Sequence, residues 1–435
     1  MKKLLLLCLL PLLCFSQGYT SYFTGNAANI TTTPEFGVCL MGGATEHDNA
    51  MRWLLQKANS GDVVVLRSTG SNGYNDYLYS GLGVTVNSVE TLVITSVAGA
   101  TNPYVLDKVA NAEMIWFAGG DQWNYVSYFK DNALEDLINN HVNVKHAPIG
   151  GTSAGMAILG GYYFSAQNGS VTSAQALANP YNTNMTIGGF TGTPNRDFLS
   201  IPFLGNVITD THYDNPDRRG RHATFMARIM SDYSPSAYGI ACNEYVAVCV
   251  GTDGRAHVYG DYPNYQEFAY FIQPNCFWGV SNPYCQAGQP LTWNSIMVYK
   301  VPGTMNGDNY FDVSPSGWGY SPTPQILGGS WETWNVNNGV FSTASGGGPS
   351  TTCLLAVGEN ELEKFTALPN PFTNFISLEN AENSQVEIFD SLGKKVFSDN
   401  NFISNTISTS QFSSGLYFVK IQKEGKVEIK KIIKN

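Results

Sequence analysis

The sequence predicts an α/β fold, with a doubly wound, mostly parallel sheet and a small C-terminal antiparallel β-sandwich. From Gly37 to Gly160, short apolar runs alternate with segments whose apolar residues recur at helical spacing. The runs are almost continuously apolar, as in strands that are covered on both faces. From Ala367 onwards, short segments of alternating polarity are separated by turn residues. The first pattern predicts a sheet that binds its ligands at the carboxyl ends of the strands.

The strands of the first region are predicted where the apolar runs lie. These runs are Gly37–Met41, Val63–Leu66, Leu92–Thr95, Met114–Ala118 and Ala147–Ile149. Helices are predicted between them from spacing and capping signals, at Thr45–Asn59, Pro103–Ala110 and Tyr128–Ile138. Thr45 and Asp48 have the spacing of a capping box, and Asn102 precedes a proline at the first helical position.

Later segments complete this domain. Val246–Val250 and Ile296–Tyr299 again resemble strands, whereas Pro302–Phe341 shows little periodicity. The run SGGGPS from Ser345 to Ser350 is typical of a flexible linker. We therefore predict a catalytic domain over 17–345, a linker over 346–364 and a second domain over 365–435.

Composition excludes some classes of function. Hydrophobic residues make up 43% of the 435 residues and charged residues only 13%, as in an ordered globular protein. The net charge of −10 and the isoelectric point near 5.1 argue against nucleic acid as a partner. The sequence contains no CxxC pair or His/Cys cluster of the kind that binds zinc.

The N-terminus points to export, and export bears on the state of the cysteines. Two lysines precede the apolar run Leu4–Phe15 and the small residue Ser16, so residues 1–16 are predicted to be a signal peptide. The run is shorter than the roughly 20 residues of a membrane-spanning helix. In an oxidising compartment Cys276 and Cys285 are the most local candidate pair, while Cys39 and Cys242 fit buried free thiols equally well.

The C-terminal segment predicts a small antiparallel sandwich. Its strands are expected at Val386–Phe389, Lys395–Phe397, Leu416–Ile421 and Val427–Ile432. The runs ALPNPF, VEIFDSLGKKV and SSGLYFVKI, with the basic end, resemble the C-terminal sorting domains of the type IX secretion system. That resemblance implies passage across the outer membrane, cleavage of the tail, and surface attachment or release. An accessory β-module that binds glycan or a protein partner is the alternative.

A nucleophile is suggested by GGTSAGM, Gly150–Met156, between a strand and a helical stretch. Ser153 has glycines two residues before and after it, which is the pattern of a nucleophile elbow. A Gly-rich turn without function is the alternative. The GGDQ turn from Gly119 ends the preceding strand, so the amides of Gly120 and Ala154 are expected to form an oxyanion hole. Its alternative is a plain strand-to-helix turn.

A base and an orienting acid follow later in the chain. His212 comes directly after an apolar run and is followed by three arginines, whereas the other histidines lie in helical or surface contexts. An imidazole is the group that titrates near neutrality and can activate a serine. Glu244 also ends an apolar run and could orient the imidazole, although a salt-bridged surface glutamate has the same pattern.

The set GGDQ, GGTSAGM, DTH with its arginines and GIACNE resembles the cyanophycinases and the related aspartyl dipeptidases. The resemblance spans Gly37 to Val250 and implies Ser153 as nucleophile, His212 as base and Glu244 as orienting acid. It also implies a set of residues that contact the β-aspartyl-arginine unit, namely Gln122, Asp210, Arg218 and Arg221. The chain departs from the family pattern at Thr211, where glutamine is common, and at Pro216, where an arginine is common.

The resemblance implies a secreted or surface-attached serine peptidase that hydrolyses cyanophycin, an arginyl-polyaspartate, to β-aspartyl-arginine dipeptides without metal or cofactor. One alternative is a related exopeptidase that acts on aspartyl or isoaspartyl peptides. Another is a surface-binding protein without catalysis. The expected partners are the polymer and the type IX secretion machinery, with no nucleic acid and no transmembrane segment. Whether the protein forms a homodimer stays open.

Overall fold

The computed structural model describes residues 17–189, 197–234, 236–274, 282–315, 317–318, 325–346, 365–391, 393–423 and 426–435. The predicted signal peptide, the predicted linker beyond residue 346, and Cys276 of the predicted cysteine pair lie outside these residues. The chain divides into two compact units, Met1–Cys353 and Leu354–Asn435. Among the helices of the described ranges, none has the length and apolar character needed to cross a bilayer.

The larger unit contains a ten-stranded mixed sheet. Its strands, in sheet order, are β1 (Tyr19–Gly25), β4 (Ser88–Ile94), β3 (Asp62–Arg67), β5 (Met114–Phe117), β6 (Ile149–Thr152), β2 (Val38–Met41), β11 (Ala247–Val250), β12 (Arg255–Tyr259), β15 (Asn309–Asp312) and β16 (Ile326–Leu327). The five strands from β4 to β2 are parallel. The remaining pairs of this sheet are antiparallel. The prediction of a mostly parallel sheet therefore describes only its middle.

A second sheet of six strands belongs to the same unit. In sheet order it contains β18 (Val340–Ser345), β17 (Ser330–Asn337), β14 (Trp293–Pro302), β13 (Phe268–Gln273), β10 (Tyr238–Cys242) and β9 (Val207–Asp210). Only β9 and β10 pair in parallel. The segment Pro302–Phe341, which showed little periodicity, supplies several of the strands in the two sheets. Its strand β17 buries only Trp334 and Val336, which is too weak an alternation to read from the sequence.

The helices and short elements of this unit are α1 (Asp48–Lys57), α2 (Val97–Ala100), α3 (Pro103–Asn111), α4 (Gln122–Phe129), α5 (Ala133–Asn143), α6 (Ala154–Ala157), α7 (Ser173–Ala178), α8 (Arg219–Asp232), a π-helical turn at Tyr77–Gly81, and the hairpin of β7 (Tyr163–Phe164) and β8 (Ile187–Gly188). The predicted cap of α3 is present, because Asn102 Oδ1 accepts a hydrogen bond from the amide of Tyr104 at 3.0 Å. Helix α1 instead begins at Asp48 after His47, so Thr45 lies outside the helix. The helix predicted at Tyr128–Ile138 is two helices.

The strands of the parallel core are buried on both faces, as their sequences predict. In β5, Met114 and Trp116 pack into one apolar cluster, and Ile115 and Phe117 pack into another. All four side chains are fully buried. The second cluster also contains Phe271 and other residues of the six-stranded sheet. Burial of apolar surface on both faces is the main force that holds these strands together.

The smaller unit is antiparallel throughout its paired strands. A three-stranded sheet contains β19 (Thr366–Leu368), β20 (Phe375–Glu379) and β23 (Thr406–Ser408), and a four-stranded sheet contains β22 (Lys395–Phe402), β21 (Ser384–Asp390), β24 (Gly415–Lys423) and β25 (Lys426–Lys434). Both sheets contribute to one apolar cluster, for example through Ile376 and Val419. The prediction of an antiparallel C-terminal region is confirmed.

Candidate active site

Ser153 lies at the turn between β6 and α6, at the carboxyl edge of the parallel strands. Its backbone has φ 52° and ψ −117°, and its amide donates a hydrogen bond to Met41 O at 3.0 Å. The residue after the next, Gly155, has no room for a side chain, because a Cβ there would lie 2.3 Å from Phe117 O. The small neighbours in GGTSAGM therefore let the turn pass close to β5.

His212 is held by the end of β2. The residue follows β9 with φ 46°, and its amide donates to Gly42 O at 2.8 Å. The imidazole lies against Gly43, where a Cβ would be 2.4 Å from both Cε1 and Nε2. Sequence reasoning missed these two glycines, although a pair of glycines directly after a buried strand at the ligand-binding edge was the available signal.

A chain of hydrogen bonds joins the three predicted residues. Ser153 Oγ lies 2.8 Å from His212 Nε2, and His212 Nδ1 lies 2.6 Å from Glu244 Oε1. A carboxylate can only accept, so Nδ1 carries the proton and Nε2 can accept the hydroxyl proton of Ser153. The His212 and Glu244 side chains are 25% and 22% exposed, which leaves the site open to a substrate. The arrangement can remove a proton from the serine as it attacks an electrophile.

Glu244 has a support of its own. The residue follows β10, and its amide donates to Asp214 Oδ1 at 3.2 Å. The three site residues thus come from two sheets, since β6 belongs to the ten-stranded sheet and β9 and β10 to the six-stranded one. The sheets meet behind the site, where Gly42 of one contacts His212 of the other.

Gly120 and Ala154, the two residues predicted for an oxyanion hole, are each next in the chain to a residue at the serine turn, Gly119 and Ser153. Gly120 follows β5, which pairs in parallel with β6, and its φ is 151°. A Cβ on the adjacent Gly119 would lie 3.5 Å from Ser153 Cβ. Ala154 is the first residue of α6 and is buried. Both loops therefore border the position where a reacting group would meet Ser153.

Asp210 and Arg221 bind each other in the interior. The guanidinium donates from Nε to Oδ2 at 2.8 Å and from Nη2 to Oδ1 at 2.5 Å, and the two side chains are only 4% and 6% exposed. Phe164 and Phe225 flank the guanidinium at 5.5 and 5.7 Å. Burial alone would raise the pKa of Asp210, but the charge and hydrogen bonds of Arg221 hold this pKa below its usual value. Both charges are thus engaged within the protein.

Arg218 is the less engaged arginine. Its Nη1 lies 3.8 Å from Asp210 Oδ1, and its buried Nε has no hydrogen-bond partner among the residues that the structure describes. Burial and the nearby Arg221 lower the pKa of Arg218, whereas the charges of Asp210 and Glu244 oppose this effect. The Arg218 guanidinium is therefore only loosely paired with Asp210.

The other predicted contacts are also placed. Gln122 is the first residue of α4, and its Nε2 donates to Phe164 O at 3.3 Å. Thr211 is buried, and its amide donates to Asp210 Oδ1 at 2.8 Å. Pro216 lies in the loop between His212 and α8 and has no charge to offer. Within the described ranges, no three His, Cys, Asp or Glu residues are grouped as ligands for a metal ion.

Known proteins resemble both units of this chain. Residues 366–435 match the family model of the secretion system C-terminal sorting domain. The chain is 24% identical over 190 residues to a cyanophycinase of Trichormus variabilis, covering 42% of this chain and 53% of that protein. It is 27% identical over 159 residues to a cyanophycinase of Geminocystis herdmanii, covering 35% of this chain and 48% of the relative. This chain is similar to cyanophycinases.

The matches confirm the resemblance stated from the motifs, although the chain spans only about half the length of the curated relatives it matches. Among solved structures, a peptidase from an acI-B1 actinobacterium has a TM-score of 0.37 at 14% identity, with 55% of this chain and 94% of that chain covered. A putative peptidase E protein from Listeria monocytogenes has a TM-score of 0.33 at 16% identity, covering 51% and 97%. The sorting domain supports secretion or attachment to the cell surface.

Proposed function

We propose that this protein is a serine peptidase in which Ser153, His212 and Glu244 act as a catalytic triad. The observation that carries the proposal is the hydrogen-bond chain of 2.8 and 2.6 Å through the imidazole. A serine hydroxyl is a weak nucleophile until a positioned base takes its proton, and a third group must hold that base in the correct tautomer. The turn at Ser153 serves as the nucleophile elbow.

The reaction proceeds through an acyl-enzyme. His212 Nε2 accepts the proton of Ser153 Oγ while the oxygen attacks the substrate carbonyl, and the imidazolium formed is stabilised by Glu244. The amides of Gly120 and Ala154 donate to the developing oxyanion. The imidazolium then protonates the leaving amine, and a water activated by the same imidazole hydrolyses the ester. Each step uses groups of this chain alone.

Cyanophycin is the substrate that the similarity to cyanophycinases favours. Its repeating unit carries both carboxylates and guanidinium groups, and the product would be the β-aspartyl-arginine dipeptide. Arg218 supports recognition of a substrate carboxylate, because its side chain is 21% exposed and its Nη1 is only loosely paired with Asp210 at 3.8 Å. Gln122 is a second candidate contact, and its Nε2 donates to the carbonyl of Phe164, whose ring flanks Arg221. We propose that Asp210 and Arg221 do not contact the substrate themselves. Their ion pair instead stabilises the wall of the substrate-binding site.

A related exopeptidase that acts on aspartyl or isoaspartyl peptides is the second candidate. The observation that favours it is the pairing of Asp210 with Arg221, which leaves that carboxylate little capacity to bind the arginine of a substrate. Thr211 and Pro216 depart from the family pattern at the same wall. Both candidates share the chemistry at Ser153 and differ only in the side chain that the pocket accepts.

One experiment separates these functions. Purified protein is incubated with cyanophycin and with β-aspartyl-arginine polymers of defined length. Parallel samples contain aspartyl and isoaspartyl peptides that carry no arginine or other charged neighbour, and all products are identified by mass. Release of β-aspartyl-arginine supports the first candidate, and cleavage of the uncharged peptides alone supports the second. Ser153→Ala is the matched control. If no peptide is cleaved and a phosphonylating reagent leaves Ser153 unlabelled, the protein is not a serine peptidase.

A further inference from the structure

Three buried cysteines lie behind the candidate active site. Cys39 is on β2, Cys249 is on β11 and Cys242 is at the end of β10, and all three are fully buried thiols. None of them has a part in the proposed hydrolysis. Their positions are of interest because the sorting domain supports export, and exported chains pass through oxidising compartments.

Cys39 and Cys249 face each other directly across two antiparallel strands. The register can be refined from the backbone, because the amide of Gly42 donates to Val246 O at 2.9 Å. Hydrogen-bonded and non-hydrogen-bonded pairs alternate along an antiparallel ladder. Cys39 lies three positions before Gly42, and Cys249 lies three positions after Val246 on the antiparallel partner. Three steps along the alternating ladder make Cys39 and Cys249 a non-hydrogen-bonded pair.

This type of pair suits a disulfide. In non-hydrogen-bonded pairs the Cα atoms are about 4.5 Å apart and the side chains are at their closest. A disulfide needs a Cα separation of roughly 4.4 to 6.8 Å, so the backbone is already within range. The two side chains also lie in the same apolar cluster.

We propose that Cys39 and Cys249 form a cross-strand disulfide during export. The alternative partner, Cys242, is less suited, since its side chain packs in the cluster on the other side of the sheet and its thiol donates to Leu40 O at 3.7 Å. The proposal stands on strand register and does not depend on hydrolytic activity.

The chemistry is thiol–disulfide exchange with a disulfide-carrying oxidoreductase of the oxidising compartment. One cysteine thiolate attacks that disulfide, forms a mixed disulfide and releases one oxidant thiol. The second thiolate then attacks the protein sulfur of the mixed disulfide and releases the other oxidant thiol. One S–S bond forms in this chain and one is reduced in the oxidant, which receives two electrons and the two thiol protons. Because both sulfurs are buried in the folded unit, the exchange occurs before folding has buried these two strands.

The link would enclose the whole site in one covalent loop. Ser153, His212 and Glu244 all lie between the two cysteines in the sequence. Strand β2 ends at Met41, shortly before Gly43, and strand β11 begins at Ala247, shortly after Glu244. The bond would therefore tie the support of the imidazole to the segment that carries the acid. A loop of this length restricts the unfolded chain strongly, and the folded unit gains stability accordingly.

The test compares full-length protein made by export into an oxidising compartment with the same chain made in a reducing cytoplasm. Each sample is denatured in the presence of an alkylating reagent without reductant, digested and analysed by mass. For the exported protein we expect the Cys39 and Cys249 peptides to be joined, two hydrogens lighter than their sum. Its Tm should exceed that of the reduced protein by roughly 7 °C.

Variants supply the controls. Cys242→Ala should keep the link, whereas Cys39→Ala combined with Cys249→Ala should lose both the link and the difference in Tm. Alkylation of both Cys39 and Cys249 in the exported protein, or a link from either of them to Cys242, overturns the proposal. The peptide analysis of the parent protein decides the matter even where a variant fails to fold. Equal Tm values for linked and reduced protein would overturn the stabilising role.

Discussion

Replacing Asp210 by asparagine separates a structural carboxylate from one that recognises substrate. In the structure the carboxylate receives two hydrogen bonds from Arg221, at 2.5 and 2.8 Å. Asparagine has nearly the same shape but no charge, so it leaves the guanidinium buried with a weaker acceptor. We therefore expect a loss of folding stability. The rates of hydrolysis of arginine-bearing and arginine-free substrates should fall to the same extent.

The magnitude follows from the burial of the pair. Removing one partner of a buried ion pair costs about 3–5 kcal/mol, because the other charge is left uncompensated. Asparagine retains one acceptor oxygen, which places the expected loss near the lower limit, about 3 kcal/mol. For a unit of this size the Tm should fall by roughly 4 °C. The matched control is Asp217→Asn, because Asp217 pairs with Arg219 at 2.7 Å with side chains 52% and 34% exposed. There we expect a change below about 1 kcal/mol.

The assay combines thermal melting with kinetics on two substrates. In a double-variant cycle, Asp210→Asn with Arg221→Met should lose less than the sum of the single losses, because the two side chains contact each other. The ratio of kcat/KM for arginine-bearing and uncharged aspartyl substrates should stay at the parental value. An asparagine variant that melts like the parent and loses only the arginine-bearing substrate would refute the reasoning and assign Asp210 to substrate recognition.

The pH dependence gives an independent check. Since Arg221 depresses the pKa of the folded Asp210, the carboxylate adds stability above the pKa of an unfolded aspartate, near 4. That contribution is lost as the pH falls through the lower pKa of the folded state. The Tm of the parent should therefore fall more steeply than that of Asp210→Asn below about pH 4. Equal slopes would mean that the pair adds little to stability.

Three further changes test the site and the domains. Ser153→Ala or His212→Ala should each lower kcat by roughly 10³ to 10⁶-fold, and the double variant should lose little more. Glu244→Gln should lower kcat by roughly 10² to 10⁴-fold. Additive losses in the double variant would contradict a triad. Gly43→Ala places a methyl group against the imidazole and should slow labelling of Ser153 by a phosphonylating reagent about 10²-fold, whereas unchanged labelling would show that the ring can move aside. A chain that ends after Gly346 should melt cooperatively and keep full activity, and loss of either would show that the C-terminal unit supports the larger one.

Local signals predicted the elements of the parallel core well. Asn102 and a following proline marked the start of α3, and continuous apolar runs marked strands that are buried on both faces. The break between α4 and α5 was missed because apolar spacing continues across it. There Asp131 has φ 60°, and Asn132 accepts from the amide of Leu134 at 3.0 Å, which starts a new helix.

The division into two sheets could not be predicted. An apolar run such as Ile240 to Cys242 indicates a buried strand but not which sheet receives it, because strand pairing is set by contacts far apart in sequence. The same limit applied within the site. The motifs identified Ser153, His212 and Glu244, which the structure brings together. The burial of Asp210 against Arg221 could not be predicted, because an aspartate close to several arginines in sequence is also typical of a solvent-exposed surface.

The origin of the site in two sheets has a consequence for how the protein would fail under stress. The serine follows a strand of one sheet, and the imidazole and its acid follow strands of the other, so the hydrogen bond of 2.8 Å joins residues that different sheets support. A shift of one sheet against the other by about 1 Å would lengthen this hydrogen bond, and displacements of this size can cost about 10² in rate. On warming, catalysis would be lost before either sheet melts. The turnover rate therefore depends strongly on how firmly the two sheets pack against each other.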